Sequence, residues 1–153
     1  MVLAVLFQIS SAFGQGIYVK TFGDTSSIPI IYLHGGPGYN CSTFEVTTAQ
    51  KLADEGYYVV VYDRRGEGRS GEIAEYTFEQ THSDLVEIMD SLNLNSANLI
   101  GHSFGGMVAI TFAEKHKSRI QSVVLVGAPV SLHTCPKRFD SLNIAPDGQL
   151  VTI

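Results

Sequence analysis

Three stretches of this chain, IPIIYLHGG (28–36), YYVVVYDRRG (57–66) and IQSVVLVGAP (120–129), each carry an unbroken apolar run of four to six residues. A strand with one wet face alternates polar and apolar residues; a continuous run has to bury both faces. Between these runs the periodicity changes. TFEVTTAQKLADEG (43–56) has helical spacing through Phe44, Val46, Ala49 and Leu52, with Gly56 as a stop. TFEQTHSDLVEIMDSLNL (77–94) places Phe78, Leu85, Ile88, Met89 and Leu92 on one helical face. A further strand over 97–101 leads into a helix over 104–117, and IYVKTF (17–22) alternates as a strand does. Strand and helix in alternation predict an α/β fold, a mostly parallel sheet with helices on both faces. At 153 residues, 44% of them hydrophobic, the chain suits one domain with a substantial core.

Charge and hydropathy exclude some functions. The formal net charge is −5 and no basic cluster stands out, which argues against nucleic acid as a partner. No apolar stretch reaches the length of a membrane-spanning helix. The opening MVLAVLFQISSAFGQ carries an apolar run from Val2 to Ile9, then Ala12 and Gly14 at an A-x-A-like spacing. It reads as a secretory signal over residues 1–14, which would make the protein secreted or periplasmic. No basic residue precedes Lys20, and the alternative is a first buried strand in a cytoplasmic protein. Cys41 and Cys135 form no metal or redox motif and read as buried thiols rather than a disulfide framework. The NCS sequon at 40–42 reads as coincidence. From about Val130 the alternation stops, and 130–153 reads as an irregular tail.

Three motifs carry chemistry, each directly after a predicted strand. Gly101-His102-Ser103-Phe104-Gly105 fits G-x-S-x-G, a strand-to-helix turn that exposes a serine at a helix N-terminus, where negative charge is favoured. His34-Gly35-Gly36-Pro37-Gly38 is a loop nearly free of side chains, which lets backbone N–H groups approach a ligand. Such a loop can supply one donor of an oxyanion hole, the other being the N–H after the nucleophile, here Phe104. The third, Asp63-Arg64-Arg65-Gly66-Glu67-Gly68-Arg69-Ser70, with Gly71 also matches the dinucleotide pattern G-x-G-x-x-G, but no helix opens at Gly71 and that reading is rejected.

Together HGGPG, DRRGEGRS and GHSFGG resemble the α/β-hydrolase superfamily, and HGGPG resembles its proline iminopeptidase branch, over roughly Ile17 to Pro129. The resemblance implies Ser103 as nucleophile, Gly36 and Phe104 as oxyanion donors, and Asp63 and Arg65 as structural residues. His34, Gly35, Pro37 and Gly38 would form the supporting loop. Phe104 stands where that branch more often has tryptophan.

The family order is serine, acid, histidine, and the chain does not complete it. His116 ends the helix that starts at Ser103, which at ~1.5 Å per residue puts it roughly 15–20 Å away. His133 has only Glu114 before it, and Asp140 and Asp147 have no histidine after them. His34 belongs to the oxyanion loop, His102 to the elbow and His82 to the 77–94 helix. The expectation is therefore the N-terminal part of a longer hydrolase, truncated or out of frame near 130–135, with strand 120–127 as an open sheet edge. The expected activity is hydrolysis of small acyl compounds or short peptides, iminopeptidase-like, without metal or organic cofactor. Rival readings are an esterase or lactonase, and a domain that keeps the fold without turnover.

Overall fold

A computed structural model of the chain describes residues 16–74 and 76–129, together with the backbone of 151–152. The proposed signal segment, His133, Cys135, Asp140 and Asp147 lie outside the described residues. Six strands form one sheet: β1 (Val19–Phe22), β2 (Ile28–Leu33), β3 (Tyr57–Tyr62), β4 (Ala97–His102), β5 (Ile120–Val126) and β6 (Val151–Thr152). Their spatial order is β1-β3-β2-β4-β5-β6. The four central strands run parallel to one another, while β1 joins β3, and β6 joins β5, antiparallel.

β3 and the second half of β2 are buried on both faces, as their continuous apolar runs require, whereas β5 buries only Ile120 and Val123 and leaves Gln121 and Val126 exposed. Ile31 and Leu33 of β2 join Tyr58, Val60 and Tyr62 of β3 and Leu99 of β4 in the larger core. The intervening Tyr32, Val59 and Val61 point to the opposite face, with Cys41 and Ala49. Period-two alternation divides one run of residues between two cores. The larger core is closed by α3 (Phe78–Ser91) and α4 (Phe104–Lys115), which supply Leu85, Ile88, Met89, Val108 and Phe112. Thr77 caps α3, its side chain accepting from the Gln80 N–H at 3.1 Å.

The second face is covered by a helical run with a defect. α1 (Ser42–Phe44) passes into a π-helical segment, Glu45–Ala49, before α2 (Gln50–Asp54). A π turn carries an extra residue and rotates the next turn about the helix axis. Val46, expected on the buried face, is consequently 79% exposed, while Ala49 stays fully buried. Phe44 is retained against the sheet, its ring stacked on Tyr32 at 3.8 Å. The edge at β5 also departs from expectation: β6 pairs with Ser122 and Val123, so it is covered at those two positions.

Chain direction reverses at the centre of the sheet. From β2 the chain moves to β3 on one side; from β4 it moves to β5 on the other. Connections that diverge from adjacent parallel strands leave a crevice at their carboxyl ends, where open α/β sheets bind ligands. Leu33 pairs with Gly101, so the residues after each strand, 34–38 and 102–104, meet at that crevice.

Two substitutions separate the buried alternation from the exposed π turn. Leu99→Ala removes a fully buried side chain of the larger core and is expected to cost roughly 2–5 kcal/mol. Val46→Ser is expected to stay within about 0.5 kcal/mol of the parent. Urea unfolding of both variants checks the pair.

Candidate active site

Ser103 lies between β4 and α4 with φ 51° and ψ −119°, a backbone region that L-residues other than glycine rarely occupy. Its N–H donates to Val126 O at 2.9 Å and its carbonyl accepts from Gly106 N at 2.9 Å, so the turn is fixed from both sides. Close approach explains the surrounding glycines. A Cβ on Gly105 would lie 2.1 Å from Leu33 O, and one on Gly101 would lie 2.6 Å from Gly106 Cα. A Cβ on Gly106 would meet the Ala128 Cβ at 2.4 Å. Side chains at these positions would force α4 away from β2 and β4. The first turn of α4 holds no acidic residue, and the Phe104 N–H, at the start of the helix, has no acceptor within it.

The loop after β2 lies against this turn. The position of a Cβ on Gly35 is 3.4 Å from Ser103 Cβ and 2.9 Å from His102 Nδ1. The loop has a cis Gly36–Pro37 peptide and is held by side chains from the segment after β3. Arg64, 5% exposed, donates through Nη1 to His34 O and through Nη2 to Gly35 O at 2.6 Å. Glu67 accepts from Gly38 N at 2.6 Å and pairs with Arg64 Nη2 at 2.8 Å. Sequence reasoning missed the importance of Arg64 and Glu67. The available signal was an Arg–Glu pair at i, i+3, opposite a loop with almost no side chains of its own.

Asp63 and Arg65 are structural, by different routes. Asp63 accepts from Cys41 N at 2.8 Å and from Arg69 N and Nε at 2.9 and 2.8 Å, closing its own loop on the segment before α1. Burial would raise the Asp63 pKa, but hydrogen bonds from Arg69 and Cys41 outweigh it and hold the group at about 2. Arg65 reaches instead to α3, pairing with Asp84 at 2.8 Å and Glu87 at 3.7 Å. Cys41 is a free, buried thiol. Gly66 and Gly71 close a turn, Gly66 N donating to Gly71 O at 2.7 Å, with no helix before Phe78.

The described histidines have other occupations. His34 is fully buried; its Nε2 accepts from Arg64 N at 3.0 Å and its Nδ1 lies 2.6 Å from Gly35 O. Those bonds require a neutral ring, and burial followed by the Arg64 charge lowers its pKa to about 4. His82 is a core residue between α3 and α4, bonded through Nε2 to Thr111 Oγ1 at 3.0 Å. Burial, reinforced by Lys115 and His116, lowers its pKa to about 4. His116 is half-buried beyond the far end of α4, stacked on Phe112 at 4.4 Å. His102 ends β4 with its ring beside Gly35.

A cavity of about 280 Å³ opens beside the turn, bordered by Pro37, Arg64, Ile73, Tyr76, Phe78 and Phe104. Among the described residues no cluster of three or more His, Cys, Asp or Glu side chains could hold a metal ion. No described helix is long and apolar enough to cross a membrane.

The chain belongs to the alpha/beta hydrolase fold family, whose model matches residues 28–145 and so continues past Pro129, where the strand–helix alternation stops. It is 37% identical over 118 residues to a proline iminopeptidase of Clostridioides difficile (strain 630), an alignment covering 73% of this chain and 40% of that one. The chain thus spans about 40% of the length of the curated relatives it matches. Among solved structures, a proline iminopeptidase-related protein from Thermus thermophilus superposes with a TM-score of 0.70 at 26% identity, covering 77% of this chain and 43% of that one. An esterase from Exiguobacterium antarcticum gives 0.66 at 30% identity, covering 88% and 48%.

The Asp63 carboxylate has a measurable signature. Its lowered folded-state pKa stabilises the native state above the unfolded value near 4; that contribution is lost as pH falls toward 2. At neutral pH it is on the order of 2 kcal/mol. Asp63→Asn is expected to lower stability at pH 7 and to flatten the decline between pH ~4 and ~2, as followed by denaturant midpoints.

Proposed function

We propose that this chain carries the nucleophile half of a serine hydrolase acting on small acyl compounds or short peptides, with iminopeptidase-like release of N-terminal residues as the leading activity. The observation that carries the reading is Ser103 itself, at a positive-φ turn on a helix N-terminus, with the Gly35 backbone against its Cβ. In this reading Ser103 Oγ attacks the scissile carbonyl. The oxyanion that forms is met by the N–H groups of Gly36 and Phe104. The adduct collapses with loss of the amine or alcohol, which leaves with the proton taken from the serine, and water then hydrolyses the acyl-enzyme to free acid and Ser103; the proton carriers are a histidine and an acid that the described residues do not supply at Ser103.

The iminopeptidase direction is supported by the similarity to the Clostridioides difficile enzyme and by the HGGPG loop. An esterase reading is favoured by the broad overlap with the Exiguobacterium antarcticum enzyme. The cavity beside Phe104 has room for one modest apolar group, compatible with either substrate.

A fluorophosphonate probe is expected to label Ser103 slowly, because no histidine among the described residues stands at Ser103, and removing a triad histidine costs a serine hydrolase about a millionfold in turnover. Labelling read by intact mass should disappear in Ser103→Ala. Folded wild-type protein that takes up no label would point to a domain without a live nucleophile. Turnover of a proline naphthylamide against short acyl esters then separates peptidase from esterase.

A further inference from the structure

We propose that Arg64 is the positioning residue of the oxyanion hole, setting the direction of the Gly36 N–H and supporting Phe104 through one guanidinium. This rests on the reading of Ser103, Gly36 and Phe104 given above. The loop 34–38 contains three glycines, so little of its own chemistry selects one conformation from the many glycine permits. Arg64 makes that selection. Its backbone N–H holds the His34 ring at 3.0 Å, and its Nη1 and Nη2 bind the His34 and Gly35 carbonyls, the latter at 2.6 Å.

Peptide planarity turns this into a functional constraint. In a trans peptide the C=O and the following N–H point in opposite directions. Holding Gly35 O on the guanidinium therefore aims the Gly36 N–H away from Arg64. On the side turned from Arg64 the Gly35 segment lies beside Ser103, a Cβ there standing 3.4 Å from the Ser103 Cβ. A Cβ on Gly36 would lie 2.5 Å from Arg64 Nη2, so glycine is what lets the guanidinium come this close.

The same guanidinium stacks over the Phe104 ring, 5.1 Å from its centroid. One side chain thus touches both residues whose amides form the proposed hole. Glu67 fixes the fork from behind, binding Nη2 at 2.8 Å and Gly38 N at 2.6 Å. Lysine cannot replace it: a single ammonium lacks the planar fork that spans two carbonyls, a carboxylate and an aromatic face.

The test uses the whole chain with two independent readouts. Residual dipolar couplings report the Gly36 N–H orientation, and fluorophosphonate labelling reports Ser103 reactivity. Arg64→Lys and the double variant Arg64→Met/Glu67→Gln are compared with wild type; the double variant avoids leaving a carboxylate buried without its partner. Both are expected to melt cooperatively, to lose the wild-type Gly36 coupling and to label at least tenfold more slowly. Arg65→Lys, on the α3 side, should change neither readout. Gly36 couplings in the double variant matching wild type, or labelling within twofold of it, would overturn the proposal. Absence of Ser103-dependent labelling in wild type would instead sink the nucleophile reading, and the couplings would still decide the role of Arg64.

Discussion

The structure depends on how closely α4 approaches the strand beside it. Gly105 sits where a Cβ would be 2.1 Å from Leu33 O, and Gly101 and Gly106 are pressed against each other across the turn. This contact brings the start of a helix onto the carboxyl ends of β2 and β4. It sets the height of Ser103 relative to the Gly35 backbone and leaves the cavity beside Phe104. No side chain could substitute for that proximity, because the contacting atoms are backbone on both sides.

Around the junction, charge does what apolar packing cannot do for a glycine loop. Arg64 and Glu67 hold 34–38, while Asp63 and Arg69 close the next turn. The network extends outward: Arg69 Nη1 pairs with Glu45 at 2.9 Å, and Glu45 pairs with Lys20 at 2.7 Å. The Arg69 guanidinium also lies 3.5 Å from the centre of the Tyr18 ring. Lys20 of β1, Tyr18 just before it and Arg69 of the loop after β3 therefore meet at the Glu45 carboxylate of the π turn.

Much of this was legible in the sequence, for identifiable reasons. A strand buried on both faces has to be apolar throughout, so IPIIYL and YYVVVY announce the parallel sheet, while IQSVVLV, with Gln121 exposed, turns out to be buried at Ile120 and Val123 alone. The glycines around Ser103 were legible because close backbone approach leaves no alternative residue. Val46 was misplaced because helical periodicity assumes 3.6 residues per turn, and the π turn at Glu45–Ala49 breaks that count without a composition signal. Arg64 and Glu67 were overlooked because a buried ion pair looks like any two charges in a loop until its partners are seen. The burial of His82 is not legible in the sequence, because one polar residue on a helix face reads equally as core or surface. The pairing of β6 with β5 comes from a stretch without sustained period.

Ser103 makes stability and chemistry pull against each other at one residue. Its backbone angles are ones that glycine adopts freely and serine adopts only under strain, at an expense of order 1–3 kcal/mol. Ser103→Gly would therefore make the protein sturdier while deleting its hydroxyl. As long as this torsion carries a side chain with an oxygen, the fold stays short of the stability that glycine would allow it.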